Sequence, residues 1–376
     1  MNQTDIKHSL RKLEFPLCVK EVLPRIESMI INRSKPNFIM QLISEFVFLE
    51  RSKDVDVRRG QSQSQSSQSP QQYNNMHMNK IQEFQLILVL IEFFSQPGPD
   101  ATRNAVFLSL FGTNLTPQRS KTLSKLISTA VSGSVAPLLS SAGTWMQQVG
   151  CTTTPSLEMA QSLVSDFIIF SRKTPEQLKQ LPLVAPHFAA NLMTAVADLY
   201  LNEQRGSLVA PPDALLDVFC EWISENPSLC LASQQALALP SGAIAMPVVT
   251  PLAGLIRWSV LSPLVSNRIT YSNLHLALLQ TLLEIVHTGP PTALNAQHLA
   301  AIVGPLKQQA ARLAAENIKP SEDSNYQKCM ERLSQAVQVG LSANCVFGNI
   351  PQLICALESL PSHNLMKIVI TANKNR

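Results

Sequence analysis

Hydrophobic side chains recur every three or four residues along most of the chain, which is the spacing of an α-helix that buries one face. Such runs include Leu157, Ala160, Val164, Phe167 and Ile168, then Leu274, Leu278, Leu282 and Ile285, and then Met330, Leu333, Val337 and Leu341. The period-two alternation that is typical of strands is essentially missing. The pattern therefore predicts a protein built of helices.

One of these runs is apolar on nearly every side. Its first face carries Ile81, Phe84, Leu88 and Ile91. The rest of the helix is occupied mainly by Leu86, Ile87, Val89 and Leu90. A helix that is hydrophobic all round is normally buried, so we expect this one to be central and covered on most sides.

Prolines preceded by threonine predict where several helices begin. A threonine hydroxyl can accept an orphan amide proton, and proline lacks the amide that would be left unpaired. The pairs are Thr116-Pro117, Thr154-Pro155, Thr174-Pro175 and Thr250-Pro251. Other prolines fall between the periodic runs and predict short connections. No residue repeat of fixed period is visible, which disfavours tetratricopeptide and ankyrin repeats. The predicted fold class is all-α, a degenerate HEAT-like α-solenoid of antiparallel helix pairs.

The composition changes along the chain and predicts four parts. These are an N-terminal helical segment (residues 1–51), a flexible Gln/Ser-rich linker (52–79), a helical-repeat body (80–372) and a polar tail (373–376). The linker contains Gly60 to Asn75, which has almost nothing to bury, so ordering it would cost entropy without return. A prion-like role for this tract is the alternative interpretation.

Charge is scarce and mildly basic. Charged residues make up 15% of the 376 residues and the formal net charge is +4. No basic stripe is visible, which disfavours a dedicated nucleic-acid module. Serine, glutamine, asparagine and threonine supply the polarity, and such a surface is easily desolvated in a protein interface. We expect a scaffold that is held permanently among partner proteins.

Several features predict the compartment. The segment from Met1 to Lys12 is polar and charged, which is unlike a secretory signal. Seven cysteines form no close pairs, so we expect reduced thiols in an intracellular compartment. The longest apolar stretch, Ser241 to Val265, is interrupted by Pro247, Pro251 and Arg257. This stretch predicts a buried core element and not a membrane anchor.

A catalytic constellation is not visible in the sequence. Cys220 and Cys230, like Cys345 and Cys355, are ten residues apart, which does not match zinc-ligand spacing. Nucleophile elbows, phosphate-binding loops and dinucleotide fingerprints are absent. Asp323 precedes a periodic run, where a carboxylate favours a helix start. We predict no enzyme activity, no cofactor and no metal, and keep a helical enzyme with dispersed catalytic groups as an alternative.

Three segments are candidates for binding a partner. Arg257 and Trp258 follow an apolar run and form either a core helix, with Arg257 capping carbonyls, or a recognition patch. Tyr271 and His275 lie in the next periodic run, where His275 is a packed histidine, a flank of a partner groove or a proton relay. The last segment, residues 360–370, is expected to cap the solenoid. The predicted partner-binding residues are Arg257, Trp258, Tyr271, His275, Asn364 and Leu365.

An ordered series of short segments resembles one family from end to end. It runs through Asp5-Ile-Lys-His-Ser-Leu10, Glu45-Phe-Val-Phe48, Ile81-Gln-Glu-Phe-Gln-Leu86, Ser109-Leu-Phe111, Ala197-Asp-Leu-Tyr200, Glu221-Trp-Ile223, Thr250-Pro-Leu-Ala-Gly-Leu-Ile-Arg-Trp258, Tyr271-Ser-Asn-Leu-His-Leu276, Arg332-Leu333, Leu360-Pro361 and Asn364-Leu365. The chain resembles the family of Integrator complex subunit fifteen. Relatives can carry a longer basic insert between Leu264 and Tyr271 and a Pro/His-rich tail, which this sequence lacks.

The resemblance implies a non-catalytic, nuclear, helical-repeat subunit. It further implies that the subunit joins the module of Integrator subunits ten, thirteen and fourteen, with subunit ten nearest, to the rest of the complex. That complex acts in small nuclear RNA processing and in transcription termination by RNA polymerase II. The alternative is a helical adaptor that contacts RNA or transcription factors directly. It predicts basic side chains lined up along one groove of the solenoid, and the residues to inspect for such a line are Arg257, Arg268, Lys307 and Arg312.

Overall fold

The computed structural model describes residues 3–33, 35–50, 78–170, 176–202, 208–230, 250–288 and 294–374, with the side chains of 285–288 excepted. In this part of the chain nearly every element is a helix, which confirms the predicted all-α class. The two strands described are two residues long, β1 (Leu294–Asn295) and β2 (Val346–Phe347), and they pair in parallel. The HEAT-like solenoid stays a prediction.

Two compact units make up the chain, Met1–Trp145 and Met146–Arg376, and their border falls inside a helix. The composition of the sequence instead predicts a segment over residues 1–51 that is separate from a body over 80–372. The N-terminal helices belong to the same unit as the helices over 80–132, because they pack against them. The predicted linker lies outside the described residues except for residues 78 and 79, and it stays a prediction. The last helix ends at Asn373, where the predicted tail begins.

The first unit contains six complete α-helices among its described residues, together with most of α7. They are α1 (Gln3–Arg11), α2 (Leu17–Ile31), α3 (Pro36–Leu42), which continues as a π-helix (Ile43–Val47), α4 (Lys80–Ser95), α5 (Asp100–Leu110), α6 (Pro117–Ser132) and α7 (Ala136–Val149). Helix α2 packs against α4 and α5, and α4 packs against α6. Edge-to-face aromatic pairs link Phe94, Phe107 and Trp145 in the core.

One face of helix α4 is exposed, although the sequence predicts that the helix is covered on most sides. Its buried side chains include Leu86, Ile87, Val89 and Leu90, as predicted. Ile81, Phe84 and Leu88, however, are 70%, 60% and 47% exposed. The apolar pattern indicates that a face favours burial, but it does not say whether the same chain supplies the cover.

The second unit contains the remaining helices of the described chain. They are α8 (Thr154–Val164), continued as a π-helix (Ser165–Ile169), α9 (Glu176–Lys179), α10 (Leu181–Val184), α11 (Pro186–Leu199), α12 (Asp213–Glu225), a 3₁₀ turn (Pro227–Cys230), α13 (Pro251–Leu261), a second 3₁₀ turn (Ser262–Leu264), α14 (Thr270–Thr288), α15 (Ala296–Ala300), α16 (Val303–Ala315), α17 (Ser324–Ser342), α18 (Ile350–Glu358) and α19 (Asn364–Asn373). Helix α13 packs against α11, α14 and α17, so it is the centre of this unit.

The helix starts test the threonine–proline predictions. Thr116 accepts a hydrogen bond from the amide of Arg119 at 3.3 Å, so it caps α6 as predicted. Helix α13 begins at Pro251 as predicted, but the Thr250 side chain at its N-cap position does not make the predicted cap hydrogen bond. The start of α8 is wrong by one residue, because Thr153 occupies the N-cap position and Thr154 is already helical. The pair at Thr174 lies outside the described residues.

Close approach of two helices explains one glycine of the second unit. A Cβ atom added to Gly254 of α13 would lie 2.5 Å from the Cβ of Ala197 in α11. Contacts that short are not tolerated, so only glycine allows α13 to lie this close to the end of α11. The described chain contains no helix that is both long enough and apolar enough to cross a bilayer.

Candidate functional site

Arg257 and Trp258 both reach the carboxyl end of α11. The guanidinium Nη2 of Arg257 donates to the carbonyl of Ala197 at 2.7 Å. The indole Nε1 of Trp258 donates to the carbonyls of Ala197 and Tyr200, each at 3.0 Å. The last carbonyls of a helix have no partner within the helix, and the helix dipole makes a cation favourable there. These two side chains therefore close the end of α11.

Trp258 is completely buried, with none of its surface exposed. Its ring stacks on Phe219 with centroids 6.0 Å apart and meets Tyr200 edge to face, also at 6.0 Å. The geometry supports the first of the two interpretations of this segment, a core helix whose arginine caps carbonyls. A side chain without exposed surface makes no direct contact with a partner while the unit stays folded.

His275 joins three helices. Its Nδ1 lies 3.2 Å from the hydroxyl of Ser259 in α13, and its Nε2 lies 2.9 Å from Oε1 of Gln335 in α17. Burial lowers the pKa of His275 to about 4; the hydrogen bond with Gln335 raises it, and the nearby charge of Arg332 lowers it further. His275 is therefore neutral at physiological pH and holds helices together as a packed, hydrogen-bonded histidine. Tyr271 of the same helix is also buried, and burial raises its pKa to about 12.

Arg332 of α17 completes this polar cluster, a role that no pattern in the sequence indicates. Its guanidinium donates to the carbonyl of Ser259 at 2.6 Å, to the hydroxyl of Ser262 at 2.9 Å and to the hydroxyl of Ser272 at 2.8 Å. Burial lowers the pKa of Arg332 from its ordinary value. The partners are 60 to 73 residues away in sequence, so only the folded structure brings them together.

We expect His275 to make the second unit lose stability as the pH falls from about 6.5 towards 4. Unfolded histidine takes up a proton in this range, whereas folded His275 does not, so acid favours the unfolded state. The contribution is up to about 1.4 kcal/mol per pH unit. Urea denaturation at pH 7, 6 and 5 measures it. The variant His275→Asn should lose less stability over this range, and identical slopes for the two proteins would contradict the expectation.

Asn364 and Leu365 are separate from this cluster. They are the first two residues of α19, which packs on α17 and α18. Asn364 is exposed and Leu365 is half-buried, and the N-cap position before them is held by His363. The six predicted residues thus do not form one surface. Three of them, Trp258, Tyr271 and His275, face the interior.

The four basic residues singled out for RNA binding are in different surroundings. Arg257 is bound to the end of α11, and Arg268 pairs with Asp213 at 2.6 Å and Asp217 at 3.0 Å. Lys307 and Arg312 are exposed on α16. Arg257 and Arg268 therefore already bind groups of this chain, which weakens the case for a line of four basic residues.

The thiols and the cleft described in this unit carry little reactive chemistry. Burial raises the pKa of Cys151, Cys220, Cys230 and Cys329 to about 12, so these thiols stay protonated near neutral pH. An open cleft of about 530 Å³ has Glu158 as its one ionisable lining residue; the others are Thr154, Leu157, Gln161, Ser162, Ser165 and Leu199. Within the described residues, no three histidine, cysteine or carboxylate side chains converge as metal ligands would.

These features define a class: an all-helical protein whose buried polar and aromatic side chains join helices to one another. The comparisons with known proteins then give the family. The family model described as Integrator complex subunit 15 matches residues 4–362. The chain is 63% identical to Integrator complex subunit 15 of Drosophila melanogaster, over 98% of this chain and 96% of the relative. It is 28% identical to the Homo sapiens protein of that name, over 98% and 87%. The chain belongs to the Integrator complex subunit 15 family, which confirms the resemblance seen in the sequence.

Proposed function

We propose that this chain is a non-catalytic, architectural subunit of the nuclear Integrator complex. In this role it links the module of subunits ten, thirteen and fourteen to the rest of the complex, with subunit ten as its nearest partner. The complex then acts in 3′-end processing of small nuclear RNA and in transcription termination by RNA polymerase II. Membership in the Integrator complex subunit 15 family is the observation that carries the proposal.

The geometry supports an architectural role in two ways. The side chains that a catalytic hypothesis would use are occupied in joints between helices, as His275 and Arg332 show. Large apolar side chains on α4 and α14 keep much of their surface exposed in the described chain. Exposed apolar faces on a folded subunit are typical of surfaces that bind other proteins.

Affinity purification from nuclear extract tests the proposal. A tagged copy of the chain is expected to recover the other Integrator subunits in stoichiometric amounts, as identified by mass spectrometry. Reconstitution from purified proteins then asks whether the ten–thirteen–fourteen module associates with the remaining subunits only when this chain is present. Recovery without Integrator subunits, or full association of the module in the absence of the chain, would end the proposal.

A further inference from the structure

An apolar stripe follows the outer side of α14. It consists of Ile269, which immediately precedes the helix, Leu276 and Leu283, and we call it the α14 stripe. These side chains are 73%, 64% and 54% exposed. Residues seven apart on a helix lie within about 20° of one another, and the stripe is about 21 Å long. Tyr271 and His275 of the same helix, which the sequence predicts as partner-binding residues, are buried instead.

The polar positions between the stripe residues are uncharged, although Gln280 donates to the exposed carboxylate of Glu284, which follows Leu283, at 3.0 Å. Asn273 and Gln280 lie between the apolar residues and are exposed. Amide side chains can exchange water for partner hydrogen bonds with little penalty, whereas lysine and glutamate resist this. Apolar residues at seven-residue spacing with neutral polar residues between them form a surface that suits another helix packed alongside.

The neighbouring helix α12 gives this surface an acidic border at the start of α14. Its outer side carries Asp213, Asp217, Glu221 and Glu225 at four-residue spacing, and we call it the α12 acidic face. The hydroxyl of Thr270, at the start of α14, donates to Asp217 at 3.3 Å, so this face begins beside the stripe. Cys220 of α12 also approaches the carbonyl of Thr270, and the two helices pack against each other.

The acidic charge is only partly compensated. Arg268 pairs with Asp213 and Asp217, and Lys179 pairs with Glu221 at 2.6 Å. The hydrogen bond to Glu221 raises the pKa of Lys179, and the charges of Glu221, Glu176 and Glu225 add to this rise. Among the described residues of this region, five carboxylates thus face two cations. The excess is negative although the whole chain carries a net charge of +4.

We propose that the α14 stripe, bordered by the α12 acidic face, docks a basic amphipathic helix of another Integrator subunit. The apolar side of that helix covers Leu276 and Leu283, and its lysine or arginine residues face the carboxylates of α12. This inference rests on the proposed function.

Charge argues against three other occupants. Nucleic acid would bring phosphates towards carboxylates. A second copy that bound through the same face about a two-fold axis would bring two acidic faces together. Residues 231–249 of this chain are apolar but contain no lysine or arginine, so they offer nothing to the acidic face.

Two sets of variants test the inference in reconstituted Integrator. The double variant Leu276→Gln/Leu283→Gln removes the apolar anchors at exposed helical positions, and we expect it to bind the purified remaining subunits about tenfold more weakly or worse. The double variant Asp217→Asn/Glu225→Gln should bind more weakly and show a smaller salt dependence. The matched control Leu183→Gln changes an exposed leucine of α10 outside the stripe, and it should bind as the unmodified chain does. Thermal unfolding checks that each variant is folded.

A photo-crosslinking residue at position 276 of the full chain identifies the occupant. The expected product joins it to a helical, lysine- or arginine-rich segment of another Integrator subunit. Crosslinks to RNA, to a second copy of this chain or to residues 231–249 would overturn the inference. So would unchanged binding by both double variants, and in that case the proposed function still stands. If the unmodified chain fails to join Integrator, the proposed function fails and the inference with it.

Discussion

Replacing Trp258 with alanine is expected to destabilise the second unit by about 3 to 5 kcal/mol. The side chain is wholly buried between Phe219 and Tyr200, so alanine leaves a cavity of nearly a whole indole ring. The change also removes the indole donor from the carbonyls of Ala197 and Tyr200. The carbonyl of Tyr200 then depends on water or on movement of the chain.

Hydrogen exchange is the measurement suited to a chain with two units. Amides in α11 and α13 should exchange much faster in Trp258→Ala, whereas those of α4 and α6 report on the first unit separately. Trp258→Phe retains the ring contacts and loses the donor, so we expect it to cost about 1 to 3 kcal/mol. A Trp258→Ala protein that is fully stable and still assembles with Integrator subunits would show that this side chain supports neither the core nor a partner contact.

The overall helical character and many of the helix starts could be predicted from sequence because they depend on neighbouring residues. Periodicity identifies the buried face of α17, and Asp323 caps that helix by accepting from the amide of Tyr326 at 2.6 Å. Thr116 caps α6 for the same local reason. Such signals are contained in three or four consecutive residues and need no tertiary information.

The hydrogen bonds that join one helix to another could not be predicted, because the residues that they connect are far apart in sequence. Arg332 looks like any arginine on an amphipathic helix until α13, the 3₁₀ turn after it and α14 each bring a serine to it. The role of Trp258 could not be predicted from the sequence either. Its residue type fits a core position and a binding hot spot equally well, and only its position under the end of α11 distinguishes the two.

The sequence predicts which helix faces are apolar, but it does not predict which of these faces are exposed in the folded chain. The pattern of α4 predicts cover on most sides, yet Phe84 is exposed in the described chain. Hydrophobicity measures how much a surface gains from burial, and it is the same whether the cover belongs to the chain or to a partner. For a protein that acts within a complex, such a mismatch between apolar pattern and exposure therefore marks candidate binding surfaces.

Replacing Arg119 with methionine is expected to destabilise the first unit by about 3 kcal/mol, at the lower end of the range for breaking a buried ion pair. The guanidinium is buried and joins α6 to the π-helix and to the segment after it. It donates to Glu50 at 3.1 Å and to the hydroxyl of Ser44 at 2.9 Å, and it lies 4.6 Å from the ring centre of Phe48. Methionine fills much of the volume but leaves the Glu50 carboxylate, whose side chain is 20% exposed, without its cation.

The pH dependence gives this prediction a second readout. Burial by itself raises the pKa of Glu50, but hydrogen bonds from Arg119 and Thr116 and the charge of Arg119 outweigh it, so the pKa is lowered overall. A lowered carboxyl pKa contributes stability above the unfolded value of 4.5, and this contribution is lost as the pH falls through the folded value. Without Arg119, burial is expected to raise the pKa instead. The free energy of unfolding of Arg119→Met should therefore fall furthest below that of the unmodified chain near neutral pH. The difference between the two proteins should shrink in acid.

An exposed ion pair of the same unit provides the control. Lys20 and Glu92 lie 2.7 Å apart, but both side chains are about half exposed, so Lys20→Met should change the free energy of unfolding by less than about 1 kcal/mol. Adding Glu50→Gln to Arg119→Met should recover part of the loss, since the carboxylate that lacks a partner is then neutral. Hydrogen exchange in α3 and α6 measures all four proteins. Equal effects of Arg119→Met and Lys20→Met would mean that burial adds nothing to the Arg119–Glu50 pair. The contact between α6 and residues 44–50 would then rest on its other bonds, such as the one from Gln118 to the carbonyl of Phe48 at 2.8 Å.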